Sequence, residues 1–293
     1  MARRQLSEKD LRSLRILMEV AQAEGISAAE SQLNMTKATI SRHIKEIEEN
    51  LGTRLCFRGP QGFSLTAAGE KAIEYTRPAL QALERIDSEV AALSGVISGK
   101  VEVGMIDNIL GDPHSQISKA LSGLLRIAPE ADLNLKTMSS NELMQSLYSH
   151  QLDIVIKGTL NDDYSSSLNY LPLFQEEHAF CYCDFPGMPH WSTRPLIYRR
   201  NQRLVARAMR DYGFKRGPEA VGLESVATLL STGLYIGILP LAYMHQMQRM
   251  IPFTHCQELP IYQMKLYAIT HQKRNLSPAA HTFLELLKVH HAA

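Results

Sequence analysis

The sequence predicts an α/β chain with a small helical head, one long connecting helix and a two-lobed α/β body. Three observations carry that expectation. Two short helical stretches meet at Asn34-Met35 and are followed by an alternating hairpin; helical periodicity runs unbroken over residues 67–93; and strands alternate with helices after Lys100. At 293 residues the chain can bury at least two cores. Apolar residues make up 45% and charged residues 21%, a balance that excludes a disordered or fibrous chain. A net charge of +1 gives no global signal for nucleic acid, so any such signal must be local.

The head is built from three helices. Ser7 is placed to cap the first, with Leu11, Leu14, Met18 and Ala21 on one face. Ser27-Ala28-Ala29-Glu30 reads as a capping box opening a second helix that ends near Leu33. After the Asn34-Met35 turn, Thr36 is an N-cap, Ile40, Ile44, Ile47 and Leu51 form a buried stripe, and Gly52 stands at the C-terminal position. The other face carries Lys37, Ala38, Ser41, Arg42 and Lys45, and no acid appears before Glu46. Residues 54–58 and 62–66 alternate as two short strands around Gly59-Pro60-Gln61. The whole reads as a winged helix-turn-helix, with residues 1–66 as its domain. Cationic first turns suit the major groove of double-stranded DNA. There Lys and Arg neutralise phosphates, and Thr36, Ser41 and the Ala38 methyl touch base edges. Arg54 and Arg58 would meet the DNA backbone, which positions without specifying. The plainer alternative is a solvated amphipathic helix. Ten Lys/Arg against eight Asp/Glu over residues 1–66 make the basicity local rather than domain-wide.

Here the sequence resembles the LysR-type transcriptional regulators. The resembling residues are Ala28-Ala29-Glu30, Leu33, the run from Thr36 to Ser41-Arg42, Ile44, Ile47-Glu48, Leu51-Gly52, Leu55-Cys56-Phe57-Arg58 and Leu65-Thr66-Ala67-Ala68-Gly69. The likeness continues over nearly the whole chain. It implies a homo-oligomer, a dimer or a pair of dimers on a dyad-related site, and contact with RNA polymerase. It also implies an effector domain of two lobes crossed twice by the chain, like a type 2 periplasmic binding protein. One departure stands out: members often carry Ser-Gln-Pro or Ser-Gln-Ser where this chain has Thr36-Lys37-Ala38. Lys37 favours phosphate or guanine over adenine, so the bases read need not be those of relatives.

Residues 67–94 read as a linker helix of roughly 40 Å. Ile73, Leu80, Leu83, Ile86, Val90 and Leu93 share a stripe that a second copy would cover, while packing on the chain's own body is the alternative. Pro78 is expected to kink it. Ser94-Gly95 and Ser98-Gly99 mark the hinge into an effector-binding domain over residues 100–293. Strands are expected at 101–106, 133–137, 153–157, 178–183 and 264–270, with helices at 117–127, after a capping box at Ser139 to Glu142, within 224–240, and at 277–289. Asp112-Pro113 reads as a helix start. Lobe I would comprise about 100–170 and 261–293, and lobe II about 171–260. The resemblance puts the crossings at Leu171-Pro172-Leu173-Phe174 and near Pro260.

Ligands of such sheets lie beyond the strands' carboxyl ends, near helix amino ends. That rule selects Asp107, Asn108, Ser139, Ser140, Lys157, Thr159, Glu224 and Ser225, with Arg199 or Arg200 reaching in from the second lobe. Lys157 ends an otherwise apolar strand and would draw a carboxylate or phosphate; the alternative pairs it with Asp107 or Asp153. The expected effector is a small anionic metabolite.

Other classes find less support. No Gly-x-Gly-x-x-Gly, phosphate loop, Gly-x-Ser-x-Gly or His-Glu-x-x-His occurs, so no enzyme chemistry, cofactor or metal is expected. A thiol-based redox regulator is the main alternative, resting on Cys181 and Cys183, which alternate on one strand face and suit buried thiols better than a disulfide. His290-His291 read as a solvated tail. The start of the chain lacks a signal-peptide pattern, and the longest apolar run, 229–243, is interrupted and too short to span a membrane. A transport-type binding protein is therefore disfavoured and a cytoplasmic location expected.

Overall fold

The computed structural model describes residues 5–59, 62–159, 164–200 and 202–292. They form two compact units, Met1–Asp87 and Ser88–Ala293. The first holds helices α1 (Glu8–Gln22), α2 (Ile26–Leu33) and α3 (Lys37–Leu51), a hairpin of β1 (Cys56–Gly59) and β2 (Gly62–Leu65), and most of α4 (Ala67–Leu93). Its core joins Leu14, Leu17 and Val20 of α1 to Ala29 of α2 and Ile40, Ile44 and Ile47 of α3. Part of the expected hairpin turn, Pro60-Gln61, lies outside the described residues.

Three local expectations are corrected here. The α1 stripe is rotated: Ile16, Leu17 and Val20 are buried beside Leu14, while Leu11, Met18 and Ala21 are half-buried. Leu51 is 40% exposed, because α3 runs past the edge of the core in its last turn. Ser27 forms no capping box. Helix α2 starts two residues earlier, at Ile26 behind Gly25, and the Glu30 carboxylate instead accepts the Lys37 amide of α3 at 2.8 Å. The Ser7 cap, the Thr36 cap and the left-handed Gly52 terminus stand as expected.

The short Thr66-Ala67-Ala68-Gly69 run fixes how α4 leaves the hairpin. Thr66 donates its hydroxyl to the Arg54 carbonyl at 2.8 Å and accepts the Gly69 amide at 3.1 Å. A Cβ on Gly69 would lie 1.9 Å from the Leu55 carbonyl oxygen, so only glycine allows the approach. Helix α4 continues through Pro78.

The second unit is organised on one seven-stranded sheet ordered β10-β6-β11-β5-β3-β4, with β9 also pairing β6. Its strands are β3 (Ser98–Met105), β4 (Glu130–Thr137), β5 (Ile154–Thr159), β6 (Leu168–Cys183), β9 (Gly237–Pro240), β10 (Phe253–His255) and β11 (Tyr262–His271). A separate pair, β7 (Leu196–Tyr198) and β8 (Arg216–Glu219), lies in the second lobe. Only β4-β3-β5 is parallel within the large sheet; β11, β6, β9 and β10 pair antiparallel. The expected parallel sheet is therefore mixed. The long strands β6 and β11 are the two crossings, and they pair with each other across both lobes.

Helices α5 (Ile117–Ile127) and α10 (Pro278–His291) cover one face of the first lobe, and α6 (Ser140–Tyr148) covers the other. In the second lobe α8 (Leu223–Leu230) and α9 (Leu241–Met247) lie on one face and α7 (Arg203–Tyr212) on the other. Asp112-Pro113 does not start a helix. A 3-10 turn at Ile109–Gly111 intervenes, the Asp112 carboxylate accepts the His114 amide at 2.8 Å, and α5 begins at Ile117. His291 is not a free tail: Nδ1 bonds the Leu287 carbonyl at 2.8 Å and Nε2 accepts the Gln116 amide at 3.1 Å.

Candidate functional sites

In the head, the surface of α3 opposite its core presents Lys37, Ala38, Arg42 and Lys45, all exposed, with Ser41 half-buried between them. Thr36 takes the Thr39 amide at 3.3 Å, so its cap function occupies the hydroxyl. The Lys37 ammonium lies 3.7 Å from Glu30, and Lys45 lies 3.5 Å from Glu49. Such exposed pairs are weak and readily exchanged for phosphate. Among the described residues Arg42 and Arg54 make no ion pair. Arg58 differs: it bridges to Glu48 and donates to the Ser41 carbonyl at 3.3 Å. Glu48 also accepts the Leu55 amide at 2.8 Å and the Cys56 amide at 3.2 Å. Glu48 and Arg58 thus tie the hairpin to the back of α3, a role that sequence reading assigned to neither.

In the second unit, the carboxyl ends of three parallel strands lie side by side. Met105 stands opposite Thr137 on one flank and Ile156 on the other. Beyond that line come Ser139 from β4, Asp107 and Asn108 from β3, and Lys157 and Thr159 from β5. Asn108 Nδ2 and Thr159 Oγ1 are buried and have no partner among the described residues. Ser139 and Glu142 form a reciprocal capping box, with the carboxylate taking the Ser139 amide at 2.9 Å. That amide is consequently spent on the protein's own acid, and Ser140 is the first residue of α6.

From the second lobe, α8 points its amino end at Asp107, whose Oδ2 accepts the Leu223 amide at 3.0 Å. Gly222, at φ +79, makes the turn that allows this approach. Glu224 and Ser225 are exposed beside it. Of the two arginines, Arg199 is the inner one. Burial pushes its pKa down, opposed by the nearby carboxylates of Asp107 and Glu176. Arg200 is turned outward, 2.9 Å from Glu219. Asp153 is taken by Arg274 at 2.7 Å and by the Glu102 amide at 2.8 Å.

Three members of this region escaped sequence reading. Glu176 and His178 alternate on β6 and are both buried, Glu176 Oε2 lying 2.7 Å from His178 Nε2. Tyr243 on α9 has its phenol pKa raised by burial and then by the Glu224 and Asp107 charges. Polar residues alternating on a strand carry no sign that the strand is covered on both faces.

All four cysteines are buried and free. Burial pushes the Cys181 thiol far up and the Cys183 and Cys256 thiols to about 11. Such thiols hold almost no thiolate, the reactive form. Among the described residues no group of three or more His, Cys, Asp and Glu could hold a metal ion, and no helix is long and apolar enough to cross a membrane.

The chain is similar to proteins of one known family. Residues 11–70 match the bacterial regulatory helix-turn-helix model of the LysR family, and residues 94–292 match the LysR substrate binding domain. The transcriptional activator BauR of Pseudomonas aeruginosa is 31% identical over 258 residues, covering 82% of this chain and 81% of its own. The regulator CzcR of Bacillus cereus is 26% identical over 295 residues, covering 96% and 98%. Among solved structures, a full-length OxyR variant from Pseudomonas aeruginosa superposes with a TM-score of 0.69 at 18% identity, covering 98% and 95%. Full-length CbnR complexed with its target DNA gives 0.65 at 18% identity, covering 96% and 99%. An exposed basic face on the third helix of a winged head, joined to a two-lobed domain matched over its whole length, leads to one conclusion: this chain is a transcriptional regulator of the LysR family.

Proposed function

We propose that the protein binds a dyad-related DNA site as a dimer or a pair of dimers, and that a small anionic metabolite held between its lobes adjusts transcription. In the head, the first turns of α3 enter the major groove with Lys37, Ala38, Ser41, Arg42 and Lys45, while Arg54 meets the DNA backbone. Arg58 contributes by holding the hairpin to α3. Thr36 starts the helix and so aims it. Contact with RNA polymerase would follow from the altered placement of the heads.

The observation that carries the effector half is the pair of buried polar atoms without partners among the described residues, Asn108 Nδ2 and Thr159 Oγ1, beyond or at the ends of two neighbouring strands. Buried polar groups are nearly always satisfied, so a ligand is the natural partner for both. Arg199 of the second lobe, near Asp107 and Glu176, and Lys157 on β5 of the first would supply the positive charge. Asp107 is a stand-in anion at the amino end of α8, and a ligand carboxylate could take its place there. That exchange would replace a lobe-to-lobe bond within the protein by one through the ligand. The acids Asp107 and Glu224 would then face any amino group on the same molecule.

Thermal shift of the full-length protein against small carboxylates, phosphates and their uncharged amides tests this. A hit should lose roughly tenfold or more in affinity with Arg199→Gln or Lys157→Ala. Unchanged affinity in both variants, or equal binding of the amide, would overturn the anion reading.

A further inference from the structure

The His290-His291 pair, expected as a solvated tail, forms part of the wall of a second cavity between the lobes. That cavity has a volume of about 860 Å³, and none of the strand-end residues above lines it. Leu173 and Phe174, where β6 crosses between the lobes, and Leu241 and Ala242, at the start of α9, complete its apolar side. The His291 ring stacks on Phe174 at 5.8 Å and 16°.

Both nitrogens of that ring are committed, and their partners fix its protonation. A carbonyl oxygen can only accept, so Nδ1, 2.8 Å from the Leu287 carbonyl, carries the hydrogen. An amide N–H can only donate, so Nε2, 3.1 Å from the Gln116 amide, offers its lone pair. The ring is therefore neutral and in the Nδ1–H tautomer. A proton arriving at Nε2 would occupy that lone pair and set two N–H groups against each other, ending the Gln116 bond. Gln116 is the N-cap residue of α5, and its side chain makes no cap bond. His291 thus anchors the start of α5 from the last turn of α10.

Titratable groups line the same cavity from every neighbouring element. Asp112 and His114 precede α5, Lys119 lies in its first turn, Glu177 is on β6, His245 on α9 and His290 on α10. Asp112 and Glu177 would draw a protonated ring into the cavity, while Lys119 and any charged imidazole would oppose it. Burial is the largest influence on His291 and holds its pKa below the ordinary 6.5; the Leu287 bond works the other way, and His290 adds to the depression. A base whose pKa is lowered in the bonded arrangement keeps that arrangement above about pH 6.5 and loses it as the pH falls.

We propose that His291 is a pH-dependent latch: neutral, it ties α10 to α5 and braces Phe174 at the crossing; protonated, it lets go and frees that wall between the lobes. Phe283 and Leu287 of α10 stay in one core with Ala120 and Leu124 of α5, so release is local and does not unfold the lobe. The lobe gap, and with it the regulator's output, becomes sensitive to acid whether or not the strand-end cleft takes an anion.

The test is a titration of the full-length protein from pH 8 to pH 5, followed by NMR of the imidazole nitrogens and by hydrogen exchange of the Gln116 amide, corrected for its intrinsic pH dependence. At the alkaline end His291 should be protonated on Nδ1 alone, and as it titrates the protection of Gln116 should fall by about tenfold per pH unit. His291→Phe, which keeps the stack and lacks both bonds, should leave Gln116 unprotected throughout. His114→Gln, His245→Gln and His290→Gln should each keep the parental response. Operator affinity should differ between the two ends of the range more in the parent than in His291→Phe; His43 titrates in both proteins and cancels from that comparison. An Nε2–H ring at pH 8, Gln116 protection that does not vary with pH, or a pH response that survives in His291→Phe would each overturn the latch. Identical operator-affinity ratios in the two proteins would overturn its regulatory role.

Discussion

Arg42 is exposed and unpaired at the face of α3, whereas Arg58, on the neighbouring hairpin, is consumed by Glu48 and the Ser41 carbonyl. Their variants should therefore fail differently. Arg42→Ala should cost about 1–3 kcal/mol on operator DNA and much less on random DNA if it reads a base bidentately. Equal losses on both, in a salt-controlled binding assay, would demote it to a phosphate contact. Arg58→Ala should instead loosen the hairpin and lower the melting temperature of the head. His43 sits on the inner face of the same helix, 8% exposed, with Nδ1 at 3.1 Å from the Ser13 hydroxyl. Burial holds its pKa below the ordinary 6.5, only partly offset by Glu46, and Arg12 and Arg42 lower it further. The unfolded chain then binds the proton more readily than the folded one. The stability involved is complete above about pH 6.5 and drains away as the pH drops. Melting the full-length protein from pH 8 to pH 5 should show the head transition moving down, and His43→Leu should flatten that dependence. A head transition insensitive to pH in the parent protein would rule the argument out.

Helix α4 is the element with the most unused apolar surface. Leu83, Ile86, Val90 and Leu93 are 47%, 55%, 60% and 89% exposed, at the three- and four-residue spacing of one stripe. Burying a side chain of this kind gains about 1.5–3 kcal/mol, so a second copy of the helix is the natural cover, in keeping with a family of oligomers. Ile86→Glu should raise the dimer dissociation constant well beyond tenfold, read by sedimentation equilibrium. An unchanged oligomer would mean that the stripe is not the dimer contact. At this scale the sequence was most legible where the signals are local. Thr36, the Ile40-Ile44-Ile47 period and Gly52 bounded α3 because cap, stripe and stop all act within one helix. Signals failed where a distant group competed for the same atom. Ser27 has no box because Glu30 serves the Lys37 amide, and Asp112-Pro113 opens no helix because Asp112 turns to His114 and the Gln116 amide goes to His291.

For the two-lobed unit as a whole, the crossing strands β6 and β11 run through both lobes in one sheet, so a change on one side of the gap is carried in shared backbone pairing. Thiol chemistry has little purchase on that arrangement: with Cys181 and Cys183 fully buried and unionised, operator binding should be indifferent to mild peroxide, and a change in a gel-shift assay would revive a redox role. By itself the sequence determined the winged head, the long helix, the strand-end positions and the family, because caps, hydrophobic periods and βα alternation are written within a few consecutive residues. Only the tertiary structure decided that Arg199 rather than Arg200 turns inward, that Asp107 caps α8 from the other lobe, that Glu176 and His178 are buried together, and that a second cavity lies beside Phe174. These depend on burial by segments scores of positions away in the chain, as where Asp107 meets Leu223, and burial of that kind leaves no mark on the spacing of side chains along the chain.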